Sequence, residues 1–174
     1  VSFILAFLLP SYNSNNDGQY ESLYAYGARS FTIRGSNGLV VFDSGDHIAR
    51  ITASVHSESF NNDEDENKGD TRSDDKGAEP EALAIGKMDD RTFAFIGLER
   101  MGGIMAYDIT NPYNVQFEDY FYNRGLIKGA NITGDLAPEG MVFVSAEQST
   151  TGNPLLIVGN EISGSIAVWE IASK

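Results

Sequence analysis

Asp70-Thr-Arg-Ser-Asp-Asp-Lys-Gly-Ala-Glu-Pro-Glu-Ala-Leu-Ala-Ile-Gly86 passes from a charged loop into an apolar run. Pro80 cannot donate a ladder hydrogen bond, which places it at the first position of a strand or just before one. The run Ala82-Leu-Ala-Ile85 that follows reads as a short buried strand. Glu79 and Glu81 are thereby delivered to one end of a strand, next to Arg72 and Lys76. The same device returns as Ala137-Pro-Glu-Gly-Met-Val-Phe-Val144.

Working outward, the recurrence extends well beyond the two Pro-Glu pairs. Gly97-Leu-Glu-Arg-Met-Gly-Gly-Ile-Met-Ala-Tyr-Asp-Ile109 lies over Gly159-Asn-Glu-Ile-Ser-Gly-Ser-Ile-Ala-Val-Trp-Glu-Ile171, which aligns Glu99 with Glu161. Tyr24-Ala-Tyr26 lies over Phe93-Ala-Phe95 in the same scheme. Short β-branched and aromatic runs at 31–34, 39–43, 82–86, 92–98, 103–109, 115–122, 140–144, 154–159 and 164–171 are separated by Gly, Asn, Asp and Pro. Repeats of short antiparallel strands at this spacing predict an all-β chain built as β-propeller blades of four-stranded sheets. The expected blades are 1–43, 80–122 and 138–174, in a single propeller portion spanning 1–174. About three blades do not close a ring of roughly four to eight. The chain therefore reads as the carboxyl-terminal part of a larger ring, with the remaining blades expected from another chain or fragment.

Charge sets the boundaries on function. The net charge is −13, and the stretch 58–81 holds ten acidic and three basic residues. A nucleic-acid partner is not expected, because phosphate contacts need an excess of Lys and Arg. The apolar run 1–9 is too short to span a bilayer and lacks a basic flank. Its abrupt start looks like a piece of something longer. There is no cysteine, which excludes disulfides, thiolate zinc sites and a cysteine nucleophile. Ser44-Gly-Asp46 is expected to cap a short helix with Ile48, Ile51 and Val55 on one face. The acidic loop 57–78 is too long for a plain connection, so it is either functional or mobile.

These residues resemble the choice-of-anchor I family from residue 13 onward. The resemblance rests on Tyr24-Ala-Tyr-Gly-Ala-Arg-Ser-Phe31, Phe42-Asp-Ser-Gly-Asp46 and Arg72-Ser-Asp-Asp-Lys-Gly-Ala-Glu-Pro-Glu81. Phe95-Ile-Gly-Leu-Glu-Arg-Met-Gly-Gly-Ile104, Leu136-Ala-Pro-Glu-Gly140 and Asn160-Glu-Ile-Ser-Gly164 extend it. The resemblance implies a β-propeller domain of bacterial surface and secreted proteins, some of them classed as alkaline phosphatases, with kinship to the echinoderm mesenchyme-specific cell-surface glycoprotein. An extracellular, periplasmic or cell-surface location follows as an expectation. The family's early loop usually alternates Asp, whereas Asn13, Asn15 and Gln19 stand there in this chain, with Asp17 among them.

Two readings of the acidic residues stay open. In one, Asp74, Asp75, Glu79, Glu81 and Glu139 converge at the channel mouth as calcium ligands, because calcium takes six to eight oxygens flexibly. Asn13, Asn15 and Asp17 would form a second, incomplete calcium loop, the alternative there being a polar turn rich in Asn. Glu99, Glu161, Arg72, Lys76 and Arg100 are then expected to face the channel. In the other reading each Glu caps backbone amides at a strand entrance, or an Arg/Lys network replaces the ion. Functionally, the residues point to a calcium-stabilised extracellular binding or scaffold module. The alternative is a calcium-dependent, phytase-like or alkaline phosphatase phosphoesterase using channel carboxylates. With only His47 and His56 in the chain, a serine triad built on Ser73 or a zinc hydrolase is poorly supplied.

Overall fold

The computed structural model describes residues 29–172. The expectations for 1–9, for Asn13, Asn15 and Asp17, and for the aromatic run around Tyr24 lie outside the described residues. Among the described residues three antiparallel sheets follow one another in sequence. The first pairs β1 (Thr32–Arg34) with β2 (Val40–Asp43). The second runs in order through β3 (Pro80–Met88), β4 (Arg91–Leu98), β5 (Ile104–Asp108) and β6 (Gln116–Phe121). The third holds β7 (Pro138–Val144), β8 (Leu155–Asn160) and β9 (Ser165–Glu170). The architecture is all-β with propeller-like succession of sheets, and the described residues form no closed ring.

The only α-helix among the described residues is α1 (His47–Val55). Ile48 is buried and Ile51 packs against the same core as expected, but the other fully buried residue of the helix is Thr52, while Val55 is 48% exposed. Thr52 tolerates burial because its hydroxyl donates to the Ile48 carbonyl at 2.8 Å. Asp46 makes no side-chain capping bond and pairs with Arg50 instead. The Ser44 hydroxyl ties the helix start to the first sheet by accepting from the Phe31 amide at 2.9 Å.

The second sheet is covered on both faces, and the period of two sorts its side chains. Ala94, Ile96 and Leu98 of β4, with Met105 and Tyr107 of β5, pack with Phe31, Ile33 and Ile48. Phe93 and Phe95, with Ala84, Ile104 and Ala106, pack with Leu156 and Val158 of the third sheet. Phe143 of β7 stacks on Phe95 with centroids 5.9 Å apart and planes 13° from parallel. That ring lies where Gly86 has no side chain: a Cβ there would sit 2.4 Å from it. Gly86 is what lets β7 approach β3.

The two Pro-Glu entries share one backbone construction. Pro80 pairs with Leu98 and Ala82 with Gly97, so Glu81 is the extra residue of a bulge. Pro138 pairs with Asn160 and Gly140 with Gly159, which makes Glu139 its counterpart. The preceding residues Glu79 and Ala137 are left-handed, at φ 51° and 61°. Each carbonyl then accepts from the Glu at the end of the neighbouring strand, Glu99 and Glu161 respectively, at 2.8 Å in both cases.

Candidate functional site

The loop ahead of β3 is held in shape by buried polar groups. Asn62 is fully buried, and its side-chain oxygen accepts from the amides of Lys68 at 2.9 Å and Gly69 at 3.0 Å. Its side-chain nitrogen donates to the carbonyl of Glu66. Asn67 reaches across to the carbonyl of Gly125 at 2.8 Å. Arg124, 2% exposed, donates to the carbonyls of Arg100, Asp63 and Glu66. Gly69 is required here, at φ 73°, since a Cβ would lie 2.2 Å from the Glu58 carbonyl. Arg29 pins the following turn by donating to the carbonyls of Ser73 at 2.6 Å and Asp75 at 2.8 Å.

This frame directs charge toward Glu79, whose side chain is 3% exposed. Arg72 meets one carboxylate oxygen at 2.6 Å and Arg100 meets the same oxygen at 3.1 Å. Lys76 meets the other at 2.5 Å. Burial works to raise the Glu79 pKa, but the bonds from Lys76, Arg72 and Arg100 outweigh it and hold the carboxyl below the ordinary range. Arg72 also pairs with Asp75 at 2.9 Å, and Arg100 with Glu64 and, at 3.1 Å, with Glu99.

Glu79, Glu81 and Glu99 bring a carboxylate oxygen each within 4.8 Å of one another. Glu79 is matched by cations, whereas Glu99 behaves in the opposite way. Burial, reinforced by hydrogen bonding with Glu81, pushes the Glu99 carboxyl up to about 8 in spite of Arg100. A carboxyl that keeps its proton in the folded chain after the unfolded chain has lost it makes stability fall as pH rises. The fall spans the window from the ordinary carboxylate value of about 4.3 to about 8, and levels off above it. Glu99→Gln is neutral throughout, so in chelator it is expected to flatten the decline of the melting midpoint across that window. A decline as steep as in the parent chain would show that Glu99 is not its source.

Of the carboxylates expected to converge, the structure brings together Glu79 and Glu81, joined by Glu99, which was expected only to face the channel, with Arg72, Lys76 and Arg100 around them. Asp75 is engaged by Arg72. Asp74, Glu139 and Glu161 are solvent-exposed and outside the cluster. The physical reason lies in the repeat itself. At the third entry Ala137 stands in the register position of Glu79, and Ile162 in that of Arg100, so neither the central carboxylate nor its cation is present. Asp63, Glu64 and Arg124 complete the network and were not singled out by the sequence reading. Their signal is their place in the same charged loop and a lone Arg in the turn-rich stretch after β6.

The Ser73 hydroxyl donates to Asp70 and accepts from the Asn61 side-chain amide at 3.0 Å. His56 stands against the rings of Tyr120 and Tyr122 at 5.8 and 4.5 Å.

Residues 6–112 match the choice-of-anchor I domain, the Pro80 entry and the carboxylates Glu79, Glu81 and Glu99 included. The chain belongs to the choice-of-anchor I domain family. A curated relative, Gigasin-3a of Magallana gigas, is 27% identical over 169 residues. The match covers 89% of this chain and 60% of that protein, so the chain spans well under the relative's full length. No solved structure matches. Membership agrees with a surface-associated domain, and among the described residues no helix is long and apolar enough to cross a membrane.

Proposed function

We propose that this choice-of-anchor I chain is a binding or scaffold module of an extracellular, periplasmic or cell-surface protein, stabilised by calcium. Other polypeptide would supply the remaining sheets of its ring. The observation that carries the cation reading is the carboxylate trio of Glu79, Glu81 and Glu99. It is an all-oxygen donor set, suited to a hard cation. Glu79 already has three cationic partners, so Glu81 and Glu99 are the pair with acceptor capacity to spare. Glu81 is only half-buried, which leaves a path from solvent. Calcium there would replace the proton that Glu99 otherwise retains.

The phosphoesterase alternative is less favoured. Arg72, Lys76 and Arg100, the cations that would cradle a phosphate, are all committed to carboxylates.

Thermal melts in calcium and in chelator test the proposal. A ligand bound only to the folded state at a hundred times its Kd stabilises by about 2.7 kcal/mol, which is about 5–10 °C at this chain length. Glu81→Gln is expected to abolish most of that increment while leaving the midpoint in chelator little changed. Phosphomonoesterase activity should be absent in both conditions. A midpoint indifferent to calcium removes the cation, and calcium-dependent phosphate release restores the enzyme reading.

A further inference from the structure

The second sheet presents Ala84, Phe93, Phe95, Ile104 and Ala106 to the third sheet, and all five are buried there. Strand register carries these positions onto the third sheet itself. The row Ala84–Phe95–Ala106 corresponds to Val142–Ile157–Val168, Phe93 corresponds to Leu155, and Ile104 to Ile166. All five counterparts are aliphatic. Yet Val142, Ile166 and Val168 are 60%, 76% and 60% exposed, and Leu155 and Ile157 are half-buried. A sheet face meant for water alternates to polar side chains; this one repeats the chemistry of a covered face, position for position.

We propose that the outer face of β7–β9 is a docking surface for a further antiparallel sheet of the same repeat, packed on β7 as β7 packs on β3. The surface continues an interface already present in the chain. The proposal rests on the larger-ring reading and names the surface and the chemistry of what covers it. Val144 occupies the position of Gly86, so the covering strand carries a side chain smaller than Phe where β7 has Phe143. A second copy of this chain is a poor occupant. It would bring exposed Glu170, on the same face beside Leu155, and a net charge of −13 against their equals.

The test supplies such a sheet. A second copy of residues 110–172 is joined to Ile171, which bonds to Pro154 as Ile109 bonds to Thr92, so the added segment leaves β9 as its original leaves β5. The added copy carries Phe143→Ile. Hydroxyl-radical labelling of Val142, Ile166 and Val168, and binding of an apolar fluorescent dye, are read on the parent and extended chains. The expected result is several-fold protection of all three residues and loss of dye binding in the extended chain. In the parent chain, Val142→Lys with Val168→Lys should abolish dye binding without lowering the melting midpoint. Unfolding of that double variant would mean the face belongs to the chain's own core and overturns the proposal. So would a parent chain that is a dimer with these residues already protected, or an added sheet that leaves them labelled. Calcium titration of the same chains reads the cation site separately, so either idea can fail alone.

Discussion

Glu79→Gln is expected to destabilise the chain by about 3 kcal/mol, toward the lower end of what breaking a buried ion pair costs. The substitution keeps the shape and the left-handed backbone at φ 51° but removes the charge that Arg72, Lys76 and Arg100 share. The cost stays at the lower end because Arg72 keeps Asp75 and Arg100 keeps Glu64 and Glu99. The cations are also partly hydrated, with side chains 19–20% exposed. At this chain length the melting midpoint should fall by roughly 6–12 °C. The effect has a sign in pH. Because the Glu79 pKa is depressed in the folded chain, its contribution is present above the ordinary carboxylate value and lost as pH falls through the lowered one. Parent and variant melts should therefore converge in acid. A difference that persists undiminished at low pH would place the effect in packing rather than in charge.

Phe95→Ala should cost as much or more, about 3–5 kcal/mol. Phe95 is 1% exposed and lies between Phe93, at 6.3 Å, and Phe143, at 5.9 Å. It is the ring through which the second sheet holds the third. Truncation opens a cavity between the second and third sheets that neither backbone can close, since both are fixed by their own ladders. Amide exchange should accelerate more in β7–β9 than in β1–β2, which pack on the opposite face of the second sheet. Uniform acceleration in both sheets would mean that the chain opens as one unit rather than at this interface.

Strand positions were legible because the signals there are local: turn residues, β-branched runs and Pro at a strand's first position. The pairing of Glu99 with Glu161 was legible too, since a repeated backbone construction imposes a repeated sequence. The helix was found from Ile48, but its second buried residue is Thr52, which periodicity counts as polar and which satisfies its hydroxyl within the helix. The centre of the charge network was harder to read. Attention to the recurring Glu after Pro favours Glu81 and Glu139, whereas the buried charge belongs to Glu79, before Pro. Two non-repeated residues distinguish the second entry from the third: Glu79, where the third has Ala137, and Arg100, where it has Ile162. Asn62 orders the acidic loop through a carbonyl and amides of the loop itself, Asn67 and Arg124 through backbone carbonyls about sixty residues apart in sequence, and no pattern of spacing encodes such contacts.

Metal content and calcium calorimetry on the natively purified chain test the central claim most directly. The account predicts one calcium ion per chain, proton release on binding at neutral pH as Glu99 gives up its proton, and at least about tenfold weaker binding for Glu81→Gln. No bound ion, no heat of calcium binding and a Glu81→Gln variant indistinguishable from the parent would contradict it, leaving the carboxylates to the Arg72, Lys76 and Arg100 network alone.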